Sequence, residues 1–139
     1  MTTEQNKAIA RRFFEAFETN DQVALMELFA PDVVGHVSGA PGPQSREAML
    51  QGIDMFNAAF SEFHQTVEDQ IAEGDRVATR TTARAVHTGD FQGLPATGKQ
   101  IAISAITIER VKDGRIVEHW ASYDRLGLMQ QLGVVPATA

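Results

Sequence analysis

Gln100-Ile101-Ala102-Ile103-Ser104-Ala105-Ile106-Thr107-Ile108-Glu109-Arg110-Val111 decides the fold. β-Branched residues fill this run, the composition of a strand rather than a helix. Its isoleucines fall at both odd and even positions, so the strand is expected to be buried on both faces. Lys112-Asp113-Gly114 follows as a hairpin turn, because Asp and Gly accept the positive φ such a turn needs. Arg115 to Tyr123 is then the last long strand. Strict alternation puts Val117, His119, Ala121 and Tyr123 on one of its faces and Glu118, Trp120, Ser122 and Asp124 on the other.

Upstream lie two more strands. Arg76 to Thr88 is rich in Val and Thr, and Thr66 to Ala72 alternates, with Glu73-Gly74-Asp75 as the turn between them. Gly89 to Lys99, with three glycines and a proline, is a connection. Earlier still the period becomes helical. Residues 4 to 18 place Ile9, Phe13, Ala16 and Phe17 on one stripe, and residues 21 to 29 carry Leu25, Leu28 and Phe29, with Pro31 expected to end that helix. Asp32 to Val37 reads as a short strand and Ser38 to Pro43 as a loop. Ser45 then caps a third helix over 46 to 61, with Met49, Ile53, Phe56 and Phe60 as its apolar stripe. At the C-terminal end, Leu126 to Leu132 is a short helix closed by Gly133. No βαβ alternation occurs, so the class is α+β, in one domain spanning 1–139.

Composition narrows the function. The chain has 139 residues and no cysteine, which excludes disulfides, thiolate metal sites and thiol nucleophiles. Eighteen acids against twelve bases give a net charge of −6 with no basic stripe, so a nucleic-acid partner is not expected. No apolar run approaches the roughly 18 residues of a membrane helix. The polar start lacks the apolar core of a secretion signal, and a cytoplasmic location away from membranes is expected. The histidines, His36, His64, His87 and His119, lie 28, 23 and 32 residues apart, so no local pair of metal ligands exists.

Three stretches carry a family likeness. They are Ala8 to Phe17 continuing at Phe29-Ala30-Pro31-Asp32-Val33-Val34-Gly35-His36; His87-Thr88-Gly89-Asp90-Phe91-Gln92-Gly93-Leu94-Pro95-Ala96-Thr97-Gly98-Lys99; and Asp113-Gly114-Arg115-Ile116-Val117-Glu118-His119-Trp120 running on through Asp124-Arg125-Leu126-Gly127-Leu128 to Gln131-Leu132-Gly133. Over nearly its whole length the chain resembles the SnoaL-like polyketide cyclases of the nuclear-transport-factor-2-like superfamily. The resemblance implies a cone-shaped α+β barrel, a curved and mainly antiparallel sheet packed on three N-terminal helices. It also implies a pocket for a small hydrophobic ligand or substrate, and a homodimer formed through the outer face of the sheet. The reaction it implies is ring closure of an aromatic polyketide ester by an intramolecular aldol step, without metal or cofactor.

An aldol cyclase needs a base for a carbon-bound proton, a means of holding the enolate and a proton for the new alkoxide. Asp124 matches the aspartate of the terminal motif. It is either a catalytic group or the N-cap of the following helix. His119 matches the motif histidine and sits mid-strand, and imidazole is a side chain suited to proton transfer. Where characterised cyclases carry their acid/base aspartate, two residues after this histidine, the chain has Ala121. His36 and His87 match polar positions of the family stretches, as donors to a substrate carbonyl or as surface histidines. Trp120 and Tyr123 are expected to line the pocket or a dimer contact, and Phe14 to line the pocket or the core. Three functions follow: a cyclase, an enone isomerase with the same acid–base logic, or a non-catalytic binder of small molecules.

Overall fold

Thr2 starts the first helix by a reciprocal cap. Its hydroxyl accepts the Gln5 N–H at 3.1 Å, and the Gln5 side chain accepts the Thr2 N–H at 2.8 Å. The computed structural model describes residues 1–136. In chain order it contains α1 (Thr3–Thr19), α2 (Gln22–Leu28), β1 (Phe29–Val37), α3 (Arg46–Ala59), β2 (Phe60–Glu73), β3 (Arg76–His87), β4 (Gln100–Lys112), β5 (Arg115–Tyr123) and α4 (Arg125–Gln131). Asn20 ends α1 in the left-handed region at φ 52°, and Asp21 caps α2 by accepting the Ala24 N–H.

The α+β class stands, but the architecture differs from the expected barrel. The sheet is open, in the order β1-β5-β4-β3-β2, with β1 parallel to β5 and the other pairs antiparallel. No pairing closes β1 onto β2, which are its two edges. Helices cover the sheet instead: α1 packs on β2 and β3, and α3 lies against both edge strands. Two helices precede the sheet, not three, because α3 follows β1 in the chain. The strand read as a short piece from Asp32 starts at Phe29, so Pro31 lies inside β1 rather than just beyond a helix. An edge strand tolerates that proline, and the β1–β5 register is broken between Phe29 and Val34.

The junction of α3 and β2 also differs from expectation. The helix stops at Ala59 and the strand begins at Phe60, with Glu62 at φ 50° inside a register shift between Ser61 and His64. Phe60 and Phe63 are both buried although three residues apart, which regular alternation forbids and an inserted residue permits. A second shift sits between β4 and β5, where Val111 pairs with Ile116 but Arg110 pairs with Glu118. Val117 is the extra residue. Ile116 and His119 therefore both face the core, and Val117 does not share a face with His119 in the way strict alternation predicts.

Two apolar clusters fill the space between helices and sheet. One gathers Phe13, Phe14, Leu25, Phe29, Met49, Val111 and Ile116. The other gathers Phe60, Phe63, Ala83, Ile101, Ile103, Leu128 and Leu132, and Phe17 packs against both. The opposite face of β4 is not covered. Ile106 is 54% exposed and Ile108 36%, so burial on both faces is not realised within the single chain.

Candidate active site

Between the two clusters the inner face of the sheet turns polar. Thr79, Thr81, Thr107, Glu109 and His119 are all buried there. Glu109 on β4 and His119 on β5 are directly paired residues of the antiparallel ladder, so their side chains rise side by side. His119 is 5% exposed and Glu109 fully buried. The His119 Nδ1 lies 3.7 Å from the Glu109 Oε2, and the other carboxylate oxygen accepts a hydrogen bond of 3.0 Å from the Thr107 hydroxyl. The rings of Phe13 and Phe29 pack on the imidazole at 5.1 and 6.1 Å.

Both atoms that face each other, Nδ1 of His119 and Oε2 of Glu109, lack a hydrogen-bond partner. A buried carboxylate with one hydroxyl donor is expensive, typically by several kcal/mol when left uncompensated. Apolar side chains of similar volume would serve the core better. A costly polar pair held among phenylalanines is the arrangement expected of working chemistry. Distances of this kind often shorten when a ligand fills a site.

Of the residues singled out in the sequence, the structure places His119, Phe14, Tyr123 and His87 on the inner side, but not together. Phe14 is in the first cluster, beside Phe13, and Tyr123 packs against the second. His87 is fully buried against Phe60, with ring centroids 5.2 Å apart. Its Nδ1 accepts the Thr97 N–H at 3.2 Å, which leaves the proton on Nε2, and that atom is buried without a partner. Along β3 it stands ten residues from Val77, the residue paired with Glu109. Ten residues of strand span roughly 33 Å, so one small molecule does not touch both His87 and His119.

His36 and Trp120 occupy the outer face, stacked at 5.4 Å. His36 Nε2 is 3.0 Å from Glu118, which also meets Arg110 at 3.3 Å, while Arg76 sits 5.3 Å above the Trp120 ring. The hydrogen bond from His36, aided by Arg110 and opposed by partial burial, holds the Glu118 carboxyl below its ordinary value of 4.5. Asp124 caps α4, accepting the Gly127 N–H at 2.9 Å. A side chain on Gly127 would collide with that carboxylate. A groove of about 920 Å³ also runs over the outer face, lined by His36, Arg80, Ile106, Ile108, Trp120 and Asp124 among others. Neither His119 nor Glu109 lines it.

Glu109 was not singled out in the sequence. The signal was present: an acid in the most isoleucine-rich strand, brought opposite His119 by the short turn at Lys112-Asp113-Gly114. Among the described residues, no three of His, Asp and Glu converge as a set of metal ligands, and no helix is long and apolar enough to cross a membrane.

Comparison with known proteins shows the family of the chain. The family model described as SnoaL-like polyketide cyclase matches residues 7–132. The aklanonic acid methyl ester cyclase DnrD of Streptomyces peucetius is 32% identical over 131 residues, covering 90% of this chain and 88% of its own. Among solved structures, IdmH from Streptomyces antibioticus is 38% identical with a TM-score of 0.84, covering 93% of this chain and 99% of its own. AclR from Streptomyces galilaeus superposes with a TM-score of 0.90 at 28% identity, covering 99% and 87%.

Proposed function

Since the chain belongs to the SnoaL-like polyketide cyclase family, we propose that it is a cofactor-free acid/base enzyme. It closes a ring in a small, hydrophobic, carbonyl-rich substrate by an intramolecular aldol reaction. The observation that carries this reading is the buried pair of His119 and Glu109 among aromatic rings. His119 Nε2 takes a proton from a carbon flanked by carbonyls. The enolate attacks a second carbonyl carbon of the same molecule, a carbon–carbon bond forms, and the alkoxide takes the proton back from the imidazolium.

The rest of the inner face supplies shape. Thr79 and Thr81 offer hydroxyls to enolate and alkoxide oxygens, while the Thr107 hydroxyl stays on Glu109. Ala121, partnered with Thr107 in the ladder, leaves room beside His119. Phe14 and Tyr123 belong to the apolar walls, and His87, a strand's length away, takes no part in this reaction. Asp124 stays with its cap. Folding a flexible chain so that the reacting carbons meet supplies several kcal/mol on its own.

We also propose that a second copy of the chain covers the outer face. Ile106, Ile108 and Trp120 form an apolar centre there that the single chain leaves open.

The test is turnover of aromatic polyketide esters and simple enones, with products identified by chromatography and mass. Ring closure by the wild type, reduced more than about 100-fold in His119→Ala, supports the cyclase. Double-bond migration without ring closure moves the reading to an enone isomerase. Saturable binding with no turnover of any substrate sinks the enzyme in favour of a binding protein.

A further inference from the structure

We propose that Glu109 is a positioning residue that keeps the Nδ1 proton on His119 and so leaves Nε2 as the reactive nitrogen, a role that rests on the acid/base reading above. Nothing else near the imidazole does this. Its Nδ1 faces Glu109 Oε2 at 3.7 Å, an ion-pair distance just beyond a hydrogen bond, and no other acceptor stands near it, since its flanks are Phe13 and Phe29. The proton of a neutral imidazole favours the nitrogen that faces an acceptor, and the only acceptor facing this ring is Glu109 Oε2.

Glu109 is itself held. The Thr107 hydroxyl donates to Oε1, which leaves Oε2 aimed at the ring. The ladder pairing of Glu109 with His119 sets the spacing of the two side chains before any substrate arrives. When Nε2 takes the substrate proton, the ring becomes a cation beside a carboxylate and away from water. The same contact then steadies the charged intermediate until the proton moves to the alkoxide. The chain lacks an aspartate at position 121, so the carboxylate acts from the neighbouring strand, through the histidine rather than on the substrate.

The test reads the proton directly, by nitrogen-15 NMR of the His119 ring in the full-length protein, with His119→Gln assigning the signals. The expected result is a protonated Nδ1 and a bare Nε2 in the wild type. Glu109→Met keeps the chain length but removes the acceptor, and the proton is expected to move to Nε2. Thr107→Val disturbs the same neighbourhood but keeps the carboxylate, and the proton is expected to stay on Nδ1. With a turned-over substrate, kcat in Glu109→Met falls roughly 100-fold or more while KM changes less than about threefold.

A wild-type proton on Nε2 overturns the proposal whatever the variants do, and so does a Glu109→Met spectrum identical to wild type. An expected set of spectra in a protein that turns over nothing keeps the positioning contact and removes the enzyme reading instead, so the two failures are told apart.

Discussion

Glu109 and His119 meet across one rung of the β4–β5 ladder, carboxylate to imidazole at 3.7 Å, both buried on the sheet's inner face. The contact joins the strand richest in isoleucine to the strand that carries the family motif. It explains how a chain with alanine at position 121 still holds a carboxylate close to its candidate base.

Restoring an acid at position 121 tests that substitution of roles. Ala121→Asp places a carboxylate on the inner face two residues from His119, next to Thr107. In this background, His119→Ala is expected to lose less than about tenfold in turnover, against about 100-fold in the wild-type background. Equal losses in both backgrounds would show that position 121 no longer reaches the reacting atoms.

Asp124 separates cap from catalyst. Its carboxylate accepts the Gly127 N–H, so Asp124→Ala is expected to cost about 1 kcal/mol of stability with turnover unchanged. Thermal unfolding and steady-state kinetics on the same preparation check both halves. A loss of turnover with an unchanged melting temperature would assign Asp124 to the reaction instead.

The outer-face network gives a pH prediction. The Glu118 carboxyl is held below its ordinary value, first by the hydrogen bond from His36 and then by Arg110. A carboxylate depressed by folding contributes stability that is fully present above its unfolded value, near 4.5, and is lost as pH falls through the folded value. The difference in urea stability between wild type and Glu118→Gln is therefore expected to be largest at neutral pH and to shrink below pH 4.5. A difference that persists unchanged into acid would mean that packing, not charge, sets it.

Association is expected to depend on Ile106. This residue is 54% exposed at the centre of the outer face. Light scattering should give twice the chain mass of 15.2 kDa for the wild type and the single mass for Ile106→Lys. A wild-type monomer at micromolar concentration would remove the second copy.

Much of this was legible in the sequence, for identifiable reasons. Long periodic segments declare themselves, and α1, β3, β4 and β5 lie within a residue or two of the expected limits. The motif around His119 fixed the family. Three features were hidden because each depends on an interruption of period. Phe60 closes the stripe of a helix expected over 46 to 61, yet it opens a strand that starts six residues before Thr66, where an inserted residue turns Phe60 and Phe63 the same way. Pro31 looks like the end of a helix until β1 is known to be an edge strand. Barrel closure depends on whether β1 meets β2, a contact between segments far apart that no local pattern encodes. Glu109 was hidden differently: an acid within an apolar run reads as an outward residue unless its rung across the hairpin is counted.

The extra residue at Val117 has a consequence for how the motif tolerates change. On one side of it Ile116 is locked to Val111 beside the turn, and on the other His119 is locked to Glu109. The bulge therefore works as a slip joint between two fixed points. Small changes in length near the turn can be taken up there, while the imidazole keeps its orientation toward the interior. A change of one residue beside the turn is thus expected to leave the facing of His119 toward Glu109 unaltered.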